Sequence, residues 1–340
     1  MKSIKELYRI GTGPSSSHTM GPRKAAEMFV TRHPDAAKFK VTLYGSLAAT
    51  GKGHMTDVAI IDTLEPTAPV EIIWQPKVFL PFHPNGMTFA AFDTDDKLIE
   101  NWTVYSIGGG ALAENSDTPS IESRDVYGMN SMTEILEWCE RSGKGYWEYV
   151  KECEDSDIWD YLNEVWKTMI DSIRRGLEEE GVLPGPLNLR RKASTYYIRA
   201  TGYKQSLQSR GLVFAYALAV SEENASGGKI VTAPTCGSCG VMPAVLYHLY
   251  KSRDFSDIRI LRALATAGLV GNIVKFNASI SGAEVGCQGE VGVACAMASA
   301  AANQLFGGSP AQIEYAAEMG LEHHLGMTCD PVCGLVQIPC

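Results

Sequence analysis

Most of the nine cysteines in this chain lie after residue 235, where glycine or proline flanks the sulfur. All of these but Cys295 sit in Thr235-Cys-Gly-Ser-Cys-Gly, in Val285-Gly-Cys-Gln-Gly-Glu-Val, and in the closing Thr328-Cys-Asp-Pro-Val-Cys-Gly-Leu-Val-Gln-Ile-Pro-Cys340. Backbone of that kind bends freely and can turn amides toward sulfur, which suits a soft-metal or iron–sulfur centre. A single buried cysteine is more often a small hydrophobe, but three separate groups argue for ligands. No ferredoxin-type Cys-x₂-Cys-x₂-Cys-x₃-Cys run is present, so a cluster here needs ligands from distant segments, as in a site built for a substrate.

Two further stretches carry chemistry. Gly11-Thr-Gly-Pro-Ser-Ser-Ser-His-Thr-Met-Gly-Pro sets Ser15, Ser16, Ser17 and His18 between two Gly-Pro turns. Serines that precede a helix can offer amides and hydroxyls to a carboxylate. Gly45-Ser-Leu-Ala-Ala-Thr-Gly-Lys-Gly-His54-Met-Thr-Asp57 adds a second histidine in a glycine-rich segment without P-loop spacing. Asn277-Ala-Ser279-Ile-Ser-Gly-Ala-Glu284-Val-Gly-Cys287 places amide, hydroxyl and carboxylate groups before a cysteine; such groups are costly to bury without partners. Of Glu284 and Glu290, one is expected to be a solvated charge. Cys139, Cys153, His33 and His248 have ordinary settings and receive no role.

The elements that must position these residues change character along the chain. Period-two or short apolar runs predict strands at Phe39–Tyr44, Asp57–Asp62, Val70–Trp74, Met87–Phe92 and Asn101–Ile107. A polar stretch from Glu114 to Met129 reads as a linker. Beyond it the pattern is helical: Ser156–Glu180 is amphipathic, while Leu212–Val220, Ile258–Val274 and Val291–Phe306 read as buried helices. Ser309-Pro-Ala-Gln312 reads as a capping box opening one more. The expected fold is α+β, an N-terminal α/β domain with a mixed sheet over 1–125 followed by an all-helical catalytic domain over 126–340.

Composition narrows the function. A net charge of −9 and a pI near 5.4 offer no basic stripe for nucleic acid. There is no secretory h-region and no run approaching a membrane span of roughly 18 residues. The chain is therefore expected to be cytoplasmic, where an odd number of cysteines points to metal or catalysis.

Together these stretches, with Tyr105-Ser-Ile-Gly-Gly-Gly, Glu222-Glu-Asn-Ala-Ser-Gly-Gly and Val231-Thr-Ala-Pro-Thr, resemble the bacterial iron–sulfur L-serine dehydratases. The resemblance spans almost the whole chain and is most specific around Cys287. It implies a helical catalytic domain behind an α/β domain, and an oxygen-sensitive [4Fe–4S] cluster held by Cys287, Cys329 and Cys340. It further implies L-serine as substrate, with pyruvate and ammonium as products, and a homodimer. Histidine is the natural base for the Cα proton, so His18 and His54 are the candidates. Ser15, Ser16, Ser17, Asn277 and Ser279 are the expected substrate-binding groups. Two features depart from the family. Cys236 and Cys333 stand where it carries non-ligating residues, and its pattern continues past the final Pro-Cys, so the catalytic domain is expected to be cut short.

Other chemistries remain open on the residues alone. A lysine after Ser226-Gly-Gly could serve pyridoxal phosphate, though no phosphate cup follows a strand. Cys236, Cys239, Cys329 and Cys333 could form a structural zinc module. A cluster-based sensor without turnover is the remaining alternative.

Overall fold

The computed structural model describes residues 1–114 and 125–328, which fall into two compact units. One is an α/β unit beginning at Gly13; the other joins residues 1–12 to the helices after residue 125. Cys329, Cys333 and Cys340 lie outside the described residues.

In chain order the first elements are β1 (Ile10–Thr12), α1 (Gly21–Arg32), β2 (Lys38–Tyr44), α2 (Gly45–Thr50), α3 (Thr56–Leu64), β3 (Val70–Gln75), β4 (Gly86–Phe92), β5 (Leu98–Ser106) and β6 (Leu112–Ala113). The helical unit follows with α4 (Met132–Ser142), α5 (Tyr146–Cys153), α6 (Ile158–Glu178), α7 (Ala193–Thr201), α8 (Gln205–Ala225), β7 (Lys229–Val231), α9 (Val241–Arg253), α10 (Asp257–Asn277), α11 (Gly282–Val285), α12 (Val293–Leu305) and α13 (Pro310–Glu322).

The α/β unit is built on a five-stranded sheet of order β3-β2-β4-β5-β6. Strand β2 runs parallel to β3 and antiparallel to β4; the remaining pairs are antiparallel, so the sheet is mixed as the sequence suggests. Alternation explains β2: Phe39, Val41 and Leu43 are fully buried while their neighbours are partly exposed. These three join Phe29 of α1, Ile60 and Leu64 of α3, Phe89 and Trp102 in one apolar core. Each fully buried side chain of that size contributes about 1.5–3 kcal/mol.

The segment 57–62 is not a strand. Its Val-Ala-Ile-Ile run has strand composition, but Thr56, Ala59, Ile60 and Leu64 are the buried positions, which is helical spacing, and α3 forms there instead. Left-handed Met55, at φ 56°, reverses the chain just before it.

In the helical unit, strand β7 pairs antiparallel with β1, bringing residues 10–12 against 229–231. Helix α10 is buried along most of its length from Ile260 to Ile273, as its all-round apolar sequence requires, and α12 packs beside it. The amphipathic stretch becomes α6, burying Leu162, Val165, Trp166, Met169 and Ile173. The capping box at Ser309 is present, with Gln312 reaching back to the Ser309 amide. The helix expected at Leu212–Val220 forms and extends further both ways, to Gln205 and Ala225, but it is buried only in part: Ala215, Tyr216, Ala219 and Val220 are inside while Phe214 is exposed.

Candidate functional site

In the α/β unit the serine-rich stretch does not lead straight into α1. Residues Ser16–Met20 form a π-helical turn, and Ser15 caps it by accepting the His18 amide at 3.1 Å. The wide turn places the His18 ring between two hydroxyls: Ser17 Oγ lies 2.9 Å from Nδ1 and Ser46 Oγ lies 3.1 Å from Nε2. Ser46 is presented by the turn from β2 into α2, where Gly45 adopts a φ of +48°. A Cβ on Gly45 would come within 2.6 Å of the Pro84 carbonyl, so both conformation and space demand glycine there.

His54 ends the short 3₁₀ turn Gly51–His54 and stacks on His18, with ring centroids 4.4 Å apart and planes at 26°. Its Nδ1–H donates to the Thr50 carbonyl at 2.8 Å, which leaves the lone pair of the neutral ring on Nε2. Two threonines cross-tie the histidine segments. Thr19 Oγ1 donates to the His54 carbonyl at 2.6 Å, and Thr56 Oγ1 donates to the His18 carbonyl. Both rings are buried, and burial opposes charge on each. His18 is pushed down to about 3, chiefly by burial and then by the neighbouring charges of His54 and His83. Burial likewise lowers His54. The pair is therefore neutral at physiological pH.

Sequence reasoning missed His83 and Asn85, which sit in a polar turn before β4. Pro84, between them, accepts the Ser46 amide at 3.0 Å, tying that turn to the hydroxyl on His18. His83 Nδ1 accepts the Asn85 amide at 3.1 Å. Asn85 is fully buried and donates Nδ2–H to the Ser106 carbonyl at 3.2 Å. Its Oδ1, and the buried Oγ of Ser106, have no hydrogen-bond partner among the described residues. Ser106 Oγ lies against the start of α1, within 2.3 Å of where a Cβ on Gly21 would stand. Buried polar atoms without partners are rare enough to mark a place for a polar ligand. The only sequence signal for them was a Pro-Asn-Gly turn, which ordinarily means nothing more than a bend.

In the helical unit the stretch before Cys287 forms a compact hydrogen-bonded corner. Asn277 spends both amide hydrogens on the carbonyls of Asn130 and Ile273, at 2.7 and 2.9 Å, which leaves its Oδ1 to meet any ligand. Ser279 Oγ donates to exposed Glu284 and accepts the Ser281 amide at 3.1 Å. Cys287 is partly buried and occupies the N-cap position of a π-helical turn, Gln288–Gly292, that opens α12. The first two amides of the turn, of Gln288 and Gly289, are given to the carbonyls of Met327 and Gly286, so the sulfur makes no cap bond with them. That placement, with glycine on one side and a polar glutamine on the other, fits a cluster ligand.

Glu290, in the same turn, is drawn inward. Thr235 Oγ1 donates to its Oε1 at 2.6 Å, and burial raises its carboxyl above the usual range, the threonine bond opposing. A Cβ on Gly282 would come within 2.3 Å of Glu290 Oε2, so glycine makes room for that carboxylate. Glu284 is thus the solvated member of the two. Cys236 and Cys239 are buried near Glu290, and burial pushes the Cys236 thiol well up, keeping it protonated. Among the described residues no group of three His, Cys, Asp or Glu is arranged to hold a metal ion.

The Glu222-Glu-Asn-Ala-Ser-Gly-Gly stretch is structural bracing. Glu222 accepts the amides of Lys192 and Ala193 at the start of α7, at 2.6 and 3.3 Å. Glu223 is held between Arg175 and Arg191, at 3.0 and 3.1 Å. His323 and His324 donate Nδ1–H to carbonyls one turn back, at Met319 and Gly320.

Comparison with known proteins agrees with these motifs. Residues 59–340 match the family described as serine dehydratase alpha chain, and residues 3–75 match serine dehydratase beta chain. The chain is 40% identical to L-serine dehydratase TdcG of Escherichia coli over 394 residues, covering 100% of this chain and 86% of that protein. It is 39% identical to an L-serine dehydratase of Streptomyces coelicolor (99% and 86% covered) and 35% identical to one of Helicobacter pylori (99% and 86%).

Proposed function

The chain belongs to the serine dehydratase family, and from that premise we propose that it is an L-serine ammonia-lyase, converting L-serine to pyruvate and ammonium. The observation that carries this reading is the buried, neutral, stacked histidine pair, with polar atoms of Asn85 and Ser106 in the same unit that have no partner among the described residues. Loss of water from serine needs a base for a weakly acidic Cα proton and help for a poor leaving group. His54 fits the base: its Nδ1–H is committed to Thr50, so Nε2 carries the accepting lone pair. His18, bonded through its two ring nitrogens to Ser17 and Ser46, is fixed in orientation and so holds the stacked His54 ring in place. Asn85 Oδ1 accepts from an ammonium group. Ser15, Ser16 and Ser17, in the same unit as the histidines, orient the substrate carboxylate.

For the leaving group we propose Cys287, Cys329 and Cys340 as ligands of a [4Fe–4S] cluster. When bound, such a cluster supplies a Lewis-acidic iron that makes hydroxide a tolerable leaving group. Once the Cα–H and Cβ–O bonds are broken, the aminoacrylate released tautomerises and is hydrolysed to pyruvate and ammonium.

The test is pyruvate release from L-serine by protein purified without air, with iron and acid-labile sulfide measured on the same sample. Turnover accompanied by iron and sulfide is the expected result. Turnover by Cys287→Ala protein free of iron would reject the cluster, and no turnover by iron-loaded wild type would reject the activity.

A further inference from the structure

Away from the cysteine corner, the helical unit contains a cleft of about 250 Å³ lined by Trp147, Arg259, Arg262, Gln304, Leu305 and Gly307. It lies where the first turns of α5 and α10 meet the carboxyl end of α12. Its charged lining is two arginines and no carboxylate. Neither Arg259 nor Arg262 has an ion-pair partner among the described residues. The Arg262 guanidinium carbon lies over the Trp147 ring, 4.1 Å from its centroid, and the buried Nε has no acceptor among the described residues. A guanidinium over an aromatic ring is shielded from water on one side and keeps its N–H fork for a carboxylate.

The neighbours reinforce that preference. Gln304 Oε1 is taken by the Thr266 hydroxyl, so its amide hydrogens are the groups left for the cleft. Arg253, 5.7 Å over the Phe306 ring, adds positive charge beside Leu305. Two features oppose an anion. Asp257 begins α10, but it accepts from the Tyr250 hydroxyl. The last carbonyls of α12 point this way, but those of Ala302 and Gln304 are bonded by the amides of Phe306 and Gly307.

We propose that this cleft binds a small organic carboxylate. The guanidiniums and the amide meet the anionic end, and the indole and Leu305 meet an apolar body, which distinguishes the ligand from inorganic phosphate. The lining holds no nucleophile or base, so the site binds without transforming. Cys287 lies beyond the opposite end of α12, whose 13 residues span about 20 Å. The cleft is thus a binding place apart from the Cys287 corner, and it does not depend on the chemistry there being serine dehydration.

Titration calorimetry of the full chain with propionate tests it, with inorganic phosphate as comparator. Saturable propionate binding is expected. It should weaken roughly ten-fold in Arg262→Gln, the loss of one charge-assisted bond, with an unchanged circular dichroism spectrum. Arg259→Gln, at an exposed position whose loss leaves the Trp147 stack intact, should weaken it as well and guards against a folding defect in the first variant. The proposal is overturned by non-saturable heats, by binding that both variants retain at full strength, or by phosphate binding as tightly as propionate.

Discussion

A neutral imidazole with one nitrogen committed to a carbonyl is a base whose lone pair has a fixed address, and His54 is held in that form by Thr50. General-base removal typically costs 10²–10⁴ in rate, so His54→Ala should lower kcat by roughly that range while leaving iron content unchanged. An unaltered kcat would clear His54 of the role. The burial that keeps the pair neutral also sets a pH signature. In the unfolded chain His18 titrates near 6.5 and in the folded protein at about 3, so between those values only the unfolded state takes up the proton. Stability is fully present above pH 6.5 and falls on acidification through that window by about 1.4 kcal/mol per pH unit for such a group. Urea midpoints measured from pH 7 to pH 4 should fall less steeply in His18→Gln than in wild type; parallel curves would show that His18 ionises freely in the folded state.

At the scale of elements, the histidines are placed by segments that cross-tie each other. Thr19 follows His18 and bonds the His54 carbonyl; Thr56 follows His54 and bonds the His18 carbonyl. Replacing either by valine keeps the shape but leaves a buried carbonyl without its donor, costing about 1–3 kcal/mol. Because the ties act on the same two segments, the double variant should lose less than the sum of the singles, and strict additivity in denaturant unfolding would mean the ties are independent. This arrangement was only half legible in the sequence. The serine-histidine stretch and the glycine-rich segment announced themselves by composition, and β2 by its alternation. The helix at Thr56–Leu64 hid because its four-residue Val-Ala-Ile-Ile window covers barely one helical turn, too little to show a repeat. His83 and Asn85 hid because their turn carries an everyday bend signal. Glu222 and Glu223 looked like a polar helix end, since the groups that satisfy them stand some 30 to 50 positions away in the chain, at Lys192, Ala193, Arg191 and Arg175.

Across the described residues of the molecule, the two apolar cores and the proposed ligand Cys287 are separate. The apolar core of the α/β unit is Phe29, Phe39, Phe89, Trp102 and their neighbours, and that of the helical unit centres on α6, α10 and α12. Cys287 belongs to neither; it sits in a short glycine-flanked turn at the head of α12. Small zinc modules, by contrast, have little core and unfold when the metal leaves. Losing the cluster should therefore silence the protein without unfolding it. Exposing anaerobically prepared protein to air should abolish pyruvate formation and the iron signal. The helical circular dichroism should survive, and Phe89→Ala, which opens a cavity in a fully buried site, should do the reverse: a loss of about 3–5 kcal/mol in stability with iron still bound. If instead the helical signal collapsed together with the iron, the cysteines would be holding the fold and not only the reaction.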